Sequence, residues 1–373
     1  MNHKHKPLTT FQRIWLPIWI AINVFIAAGT IFSGFAPTID QEYMPFAGVA
    51  SLTFPGWCIA TAALLLVNLI FCRSMAIVSG LTLLIVLKPF LVFCPLNFGS
   101  KELTGEEREK SFKILSYNVV SFKDEEGKST PEFNRTMHEV LRSEADAVVL
   151  LEYENQGPLS KFVPQSQIDS LNSRYPYFER GSMGTVMYSR RPILHIVPPE
   201  NVRNKGNMEV FRTRVADRPI NIFAVHLESI GLNDDDKQLF RSLADSDTSD
   251  ANRTTIGRVR RQLIAKLYEA FANRAHQAKM LRTYIEQLGG DIVVCGDFND
   301  VPGCRTIHIL EETGLKDAYA ETALGPTITF NAPLFWFRID HVLFSGDMHV
   351  KRIERGNVAS SDHYPMLTTF VWD

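Results

Sequence analysis

Six short segments of this 373-residue chain each set an acid, an amide or a histidine at or near the end of an apolar run. They are Ser116-Tyr117-Asn118, Leu151-Glu152, Val225-His226-Leu227, Gly296-Asp297-Phe298-Asn299-Asp300, and the late pair Arg338-Ile339-Asp340-His341 and Ser361-Asp362-His363. Carboxylates, amides and imidazoles gathered this way suit a hard divalent cation and the hydrolysis of a phosphate ester. Glu152 follows Val148-Val149-Leu150-Leu151, and a carboxylate ending a buried strand must be paired, solvated or metal-bound. Asp297 and Asn299 alternate, which can place a base and an amide on one side of the backbone. The same stretch also reads as an Asx-type turn, and both readings can hold together. His363 follows Asp362, and Asp340 lies upstream. A histidine held by a carboxylate can hydrogen-bond or protonate a phosphoryl oxygen. Taken singly, Glu152 reads equally well as a surface carboxylate, and His226 reads more readily as a core histidine.

The elements that must position these groups are short. Phe112–Val119, Ala147–Leu151, Thr185–Tyr188, Ile220–His226, Ile292–Cys295 and Ile339–Phe344 read as strands. Thr136–Arg142 and Pro158–Asn172 read as helices. Over Ile256–Leu288 the residues Val259, Leu263, Leu267, Phe271, Leu281, Ile285 and Leu288 form an apolar stripe expected to face a core. Gly289-Gly290 ends that helix. Gly231–Thr255, polar and acidic, reads as a long loop beside the site. Phe335-Trp336-Phe337 reads as packing, with base stacking or lipid contact as its other roles.

The first hundred residues differ in kind. Ile14–Ala36 and Phe46–Cys72 are uncharged and long enough to cross a bilayer. A third apolar stretch, about Ser74–Phe98, contains Lys88-Pro89, and Lys88 is expected to snorkel. Lys4, Lys6 and Arg13 precede the first span, Asp40 and Glu42 follow it, and Arg73 links the second and third. The positive-inside rule then puts the N-terminus and Arg73 in the cytoplasm. Three crossings carry the remainder to the outer face, the periplasmic side of a bacterial inner membrane.

Composition narrows the classes further. Lys and Arg total 39 against 41 Asp and Glu, a net charge of −2, without the basic excess common in nucleic-acid binders. Arg253, Arg258, Arg260, Arg261 and Lys266 cluster at the head of the long helix and read as a solvated face, with a phosphate or headgroup contact as the alternative. Five cysteines show no metal-type spacing.

Taken together, Gly296-Asp297-Phe298-Asn299 followed by Ser361-Asp362-His363 resembles the endonuclease/exonuclease/phosphatase superfamily, over Phe112–Asp373. The resemblance implies an α/β fold, a four-layer α-β-β-α sandwich, preceded here by an α-helical transmembrane region. The organisation expected is an anchor of about three helices over residues 1–98, a polar linker over 99–110 and a catalytic domain over 111–373. By the same resemblance Glu152, Asn118 and Asp362 serve a metal, Mg²⁺ with Mn²⁺ as the alternative. Asp297 orients or deprotonates water, Asn299 helps hold it and the phosphoryl oxygen, Asp340 orients His363, and His226 is a second phosphate contact whose orienting acid the sequence does not reveal. Arg190-Arg191-Pro192-Ile193 matches a structural strand end. The expected function is a membrane-anchored phosphoesterase using in-line water attack, with nucleic acid, lipid headgroups or soluble esters as substrate classes. Its partners are that substrate and the bilayer, and no protein partner is evident. The alternative is a non-catalytic membrane-bound binding or assembly module on the same fold.

Overall fold

The structure, a computed structural model, describes residues 10–99, 101–124, 127, 129–199, 202, 207–231, 253–332, 335–357 and 361–373. Helices α1 (Thr10–Phe35), α2 (Phe46–Phe71), α3 (Arg73–Ile85) and α4 (Leu87–Phe93) come first. Then follow α5 (Gly105–Glu109), β1 (Ser111–Asn118), α6 (Arg135–Arg142), β2 (Ala147–Leu151), α7 (Gln165–Arg174), β3 (Tyr177–Arg180), β4 (Val186–Ser189), β5 (Leu194–Ile196), β6 (Met208–Val215) and β7 (Arg218–His226). The second half holds α8 (Arg253–Leu288), β8 (Ile292–Asp297), α9 (Arg305–Glu311), β9 (Lys316–Asp317) and α10 (Ala318–Thr322). It ends with β10 (Phe330–Ala332), β11 (Phe335–Phe337), β12 (Asp340–Ser345), β13 (Met348–Arg355) and β14 (Met366–Trp372).

Two six-stranded sheets carry the core, ordered β13-β14-β1-β2-β4-β3 and β5-β6-β7-β8-β12-β9. Their side chains sort by the two-residue period of a strand. Ile114 of β1, Val149 of β2, Ile222 and Ala224 of β7, and Val293 and Cys295 of β8 meet between the sheets. Their sequence neighbours point outward. Leu115, Tyr117, Val148 and Leu150 pack with Met137 and Val140 of α6 and Leu171 of α7. Phe223, Val225 and Val294 pack with Leu281 and Ile285 of α8 and Ile307 of α9. Helices therefore cover the outer face of each sheet, which explains why these strands are apolar without interruption.

The helical front is antiparallel. Trp19 Nε1 donates to Asn68 Oδ1 at 2.9 Å, Asn68 Nδ2 donates to Asn23 Oδ1 at 2.6 Å, and the hydroxyls of Thr30 and Thr61 lie 2.7 Å apart. α1 and α2 are long and apolar enough to cross a membrane. Ile59, Ile70 and Phe71 are bare on their outer surface. The third apolar stretch is not one straight helix: α3 and α4 meet at 61°. Pro89 has no amide hydrogen for the Ile85 carbonyl, so the helical ladder breaks there. Helix ends at Phe93, and Leu96 bridges to Leu324 while Asn97 N donates to Ala323 O at 3.2 Å.

Both the α1–α2 connection and the end of α4 dock on the sandwich. Lys279 Nζ of α8 reaches Asp40 Oδ2 at 2.9 Å and Glu42 Oε1 at 2.8 Å, and Arg338 Nη2 donates to Val92 O at 3.3 Å. A Cβ on Gly48 of α2 would lie 2.5 Å from the Phe271 ring of α8. The expected linker holds α5, whose Thr104–Glu107 capping box and Glu107–Lys351 ion pair at 2.9 Å fix it to the sandwich.

Candidate active site

Parallel pairing brings the ends of β1 and β2 together, with Asn118 opposite Leu151. It also brings His226 of β7 opposite Asp297 of β8, while antiparallel β12 sets Asp340 on the other side of Asp297. Gly296 makes that strand end attainable. Its φ is +141°, and a Cβ there would fall 2.0 Å from the Val225 carbonyl oxygen, so only glycine lets β7 approach so closely. Glu152 and Asn299 also sit at positive φ, 54° and 50°, as backbone held at functional sites often does.

The side chains of these residues converge. Asn118 Nδ2 bridges Glu152 Oε1 at 3.2 Å and Asp297 Oδ2 at 3.3 Å. His226 Nε2 stands 3.6 Å from Glu152 Oε1 and 3.7 Å from Asp297 Oδ2. His363 Nδ1 meets Asp340 Oδ2 at 2.9 Å, and its Nε2 points to Asp297 Oδ2 at 3.6 Å. Asn299 spends an amide hydrogen on Leu227 O at 3.0 Å, and its backbone N–H caps Asp297 Oδ1 at 2.8 Å. Glu152, His226, Asp297, Asn299, Asp362 and His363 line one cavity of about 550 Å³. Asp340 lies behind His363. Asp362 Oδ1 is buried and accepts no hydrogen bond from the described residues. No carboxylate lies within hydrogen-bond distance of His226 Nδ1 among the described residues, so the orienting acid missing from the sequence is missing there too.

Electrostatics follow from burial. Desolvation alone would depress the His363 imidazole, but Asp340 and Asp297 outweigh it and push it up to about 10. Burial pushes the Asp340 carboxyl upward against the pull of His363.

Several supporting residues escaped the sequence reading. Thr329 Oγ1 accepts from both Ile339 N and Asp340 N at 2.9 Å. Ser361 Oγ ties Asn118 O to His363 N, each at 3.1 Å. Arg274 of α8 is fully buried, with Nε 3.4 Å from Asp300 Oδ2 and Nη1 donating to Glu228 O at 2.9 Å. Asp300 also accepts from Thr306 Oγ1 at 2.8 Å. This lock holds the loop that carries Asp297 and Asn299. An arginine on the apolar stripe, one turn after Phe271, was its only sequence signal.

Two expectations change. Leu263 and Leu267 do not enter a core but line the cavity, and Trp336 is 59% exposed rather than packed. Of the loop expected over Gly231–Thr255, Arg253–Thr255 already belong to α8, and residues 232–252 lie outside the described residues. So do Lys4 and Lys6, and the side chains of Arg253, Arg258 and Arg260. Arg190, the residue after β4, lies beside Asp146 at 3.7 Å.

The chain is similar in structure to several solved proteins. An endonuclease/exonuclease/phosphatase from Beutenbergia cavernae aligns at 16% identity over 70% of this chain and 72% of its own, with a TM-score of 0.46. A family protein from Bacteroides thetaiotaomicron aligns at 16% over 70% and 98%, TM-score 0.42. Sphingomyelinase C from Streptomyces griseocarneus aligns at 13% over 69% and 99%, TM-score 0.39. No curated protein matches the sequence. Residues 14–93 match a domain of unknown function, DUF8431. Residues 115–363 match the Endonuclease/Exonuclease/phosphatase family, whose enzymes are generally divalent-metal dependent. That match spans the sheet edge from the end of β1 to His363, and the chain belongs to this family of phosphoester hydrolases.

Proposed function

We propose that the chain is a membrane-anchored phosphoesterase that activates water against a phosphate ester at the Asp297–His363 edge. The observation that carries this reading is the buried line Asp340–His363–Asp297, with links of 2.9 and 3.6 Å, set beside Glu152 and Asn118. In it Asp297 accepts the proton of the attacking water, and Asn299 holds the loop that aims it. His363, kept protonated by its two carboxylates, donates to a phosphoryl oxygen, with His226 as a second contact. Asp340 is the positioning residue that fixes the His363 ring.

The donor set fits a hard cation. Asn118 Nδ2 donates to both Glu152 and Asp297, and Asp362 Oδ1 is buried without a partner among the described residues; oxygen donors of this kind suit Mg²⁺ or Mn²⁺. The ligand atoms of Asp297, Asp340 and His363 also lie within 4.8 Å of one another. The Asp340–His363 hydrogen bond already engages two of these three, which favours Glu152, Asn118 and Asp362 as the residues that would hold the ion. When bound, the cation supplies Lewis-acid stabilisation of the phosphoryl and leaving-group oxygens.

Anchoring rests on α1 and α2 and on the docking just described. The α1–α2 connection and the end of α4 both meet the sandwich, so the chain passes through the bundle three times before entering it. With the flanking charges this favours a cytoplasmic N-terminus and a catalytic domain, here residues 111–373, on the outer face of a bacterial inner membrane. The test is hydrolysis of a bis-aryl phosphodiester by the purified full chain, with Mg²⁺ and with chelator. Turnover that chelator removes supports the reading. Turnover indifferent to both chelator and Asp297→Ala sinks the assignments and revives the binding-module alternative. A reporter fused at Asp373 tests orientation, and a cytoplasmic signal contradicts three crossings.

A further inference from the structure

The reactive groups share their cavity with a set of apolar side chains. Its volume, about 550 Å³, falls within the ~300–1,000 Å³ of small-molecule sites and exceeds what a phosphoryl group fills. Its apolar lining is Leu52, Leu263, Leu267, Phe271, Phe330 and Phe337. Leu263, Leu267 and Phe271 repeat at i, i+4 and i+8 on α8, so they share one face. Leu263 and Leu267 are half-buried, whereas Leu281 and Ile285 farther along are sealed in the core. The lining is thus an apolar strip left open beside a charged centre.

Leu52 identifies what the strip faces. It belongs to α2, about 9 Å along that helix from its first residue, and α2 is apolar enough to cross a membrane. The cavity therefore runs from Asp297 and His363 down to the flank of a membrane-type helix. At its edge the β10–β11 hairpin contributes Phe330, 5.0 Å from the His363 ring between centroids, and presents Trp336 at 59% exposure. An exposed tryptophan suits the bilayer interface. A soluble ester would leave this lining wet, and a nucleic acid would find no excess of basic charge in a chain of net −2.

We propose that the substrate is a phosphate ester carried on an apolar chain and drawn from the bilayer. The chain lies along Leu263, Leu267 and Phe271 against Leu52, while the phosphoryl group meets Asp297 and His363. This inference rests on the phosphoesterase reading and adds the class of substrate.

The test uses the full chain in lipid nanodiscs and a series of phosphodiesters with one headgroup and a stepwise lengthened alkyl chain. A chelator control and a bis-aryl phosphodiester run alongside. The expected kcat/KM rises roughly fourfold per added methylene until the furrow is full, then levels off. Leu267→Trp, which fills the furrow, moves that plateau to shorter chains; Leu263→Phe serves the same purpose if Leu267→Trp does not fold. Chelator-sensitive turnover that ignores chain length, or a plateau unmoved in a folded furrow-filling variant, overturns the lipid inference and leaves the phosphoesterase reading intact. Absence of chelator-sensitive turnover with every ester, the bis-aryl compound included, overturns both.

Discussion

In the helical bundle the polar side chains Trp19, Asn23, Asn68 and Ser79 are neutral and satisfy one another, Asn68 donating to Asn23 at 2.6 Å and Ser79 at 3.2 Å. At the edge of the sandwich the polar side chains are ionisable and crowded, and Asp362 Oδ1 is buried without a partner among the described residues. The first arrangement joins helices, because a satisfied neutral network holds apolar segments in register. The second keeps acids together that repel and are costly to desolvate, which is how a site stores its readiness to bind a cation. Burial of polar groups thus marks function where charge is left over, and architecture where it is not.

This contrast can be broken at several points. Metal removal has the largest expected effect: chelation lowers turnover by about 10³-fold or more, since metal activation is worth several kcal/mol, and added Mg²⁺ restores it. Asp297→Ala and His363→Ala come next, each lowering kcat by ~10²–10⁴-fold with little change in the thermal unfolding midpoint. An unchanged kcat in both would place the chemistry elsewhere.

A third test separates buried charge used for structure from buried charge used for chemistry. Arg338 and Asp317 form a buried pair at 2.7 Å, away from the reactive groups. Asp317→Asn leaves Arg338 uncompensated and costs ~3–5 kcal/mol in denaturant unfolding. Burial opposes the ionised Asp317, but Arg338 and His341 hold its carboxyl well below the usual carboxylate range. A depressed folded value stabilises above the unfolded pKa of about 3.9 and is lost as pH falls below it. The gap between wild type and variant therefore holds steady above about pH 4 and narrows in acid. The smallest effect is expected in the bundle: Asn68→Leu costs ~0.6–1.7 kcal/mol of stability in detergent and leaves turnover of a soluble diester unchanged. A large loss of turnover there would mean that the two regions are coupled more tightly than their polar networks indicate.

Much of the sandwich was legible because period and position coincide. Ala147–Leu151 is the observed β2 and the expected end of β7 at His226 is the observed one, whereas β8, expected to end at Cys295, runs on to include Asp297. β13 and β14 were not legible: Met348–Arg355 alternates basic and apolar residues at a sheet edge, and the threonines of Met366–Trp372 dilute its apolar run. Roles that depend on distant partners were hidden too. Thr329 matters only because it lies against Asp340, and Arg274 only because Asp300 faces it. Leu263 and Leu281 look alike in sequence, yet a cavity lies over one and a sheet over the other. The break between α3 and α4 had a visible cause in Pro89, but nothing in the sequence signals its 61° angle.

The docking of α2 on α8 has a mechanical meaning. Phe271 presses on Gly48, Lys279 grips Asp40 and Glu42, and Arg338 holds Val92. On the membrane reading proposed above, these ties make the anchor a depth gauge rather than a tether: they set the height of Asp297 above the bilayer. Turnover then depends on bilayer thickness, since a span mismatched to its membrane tilts or sinks and moves the reactive edge off the plane where its substrate lies.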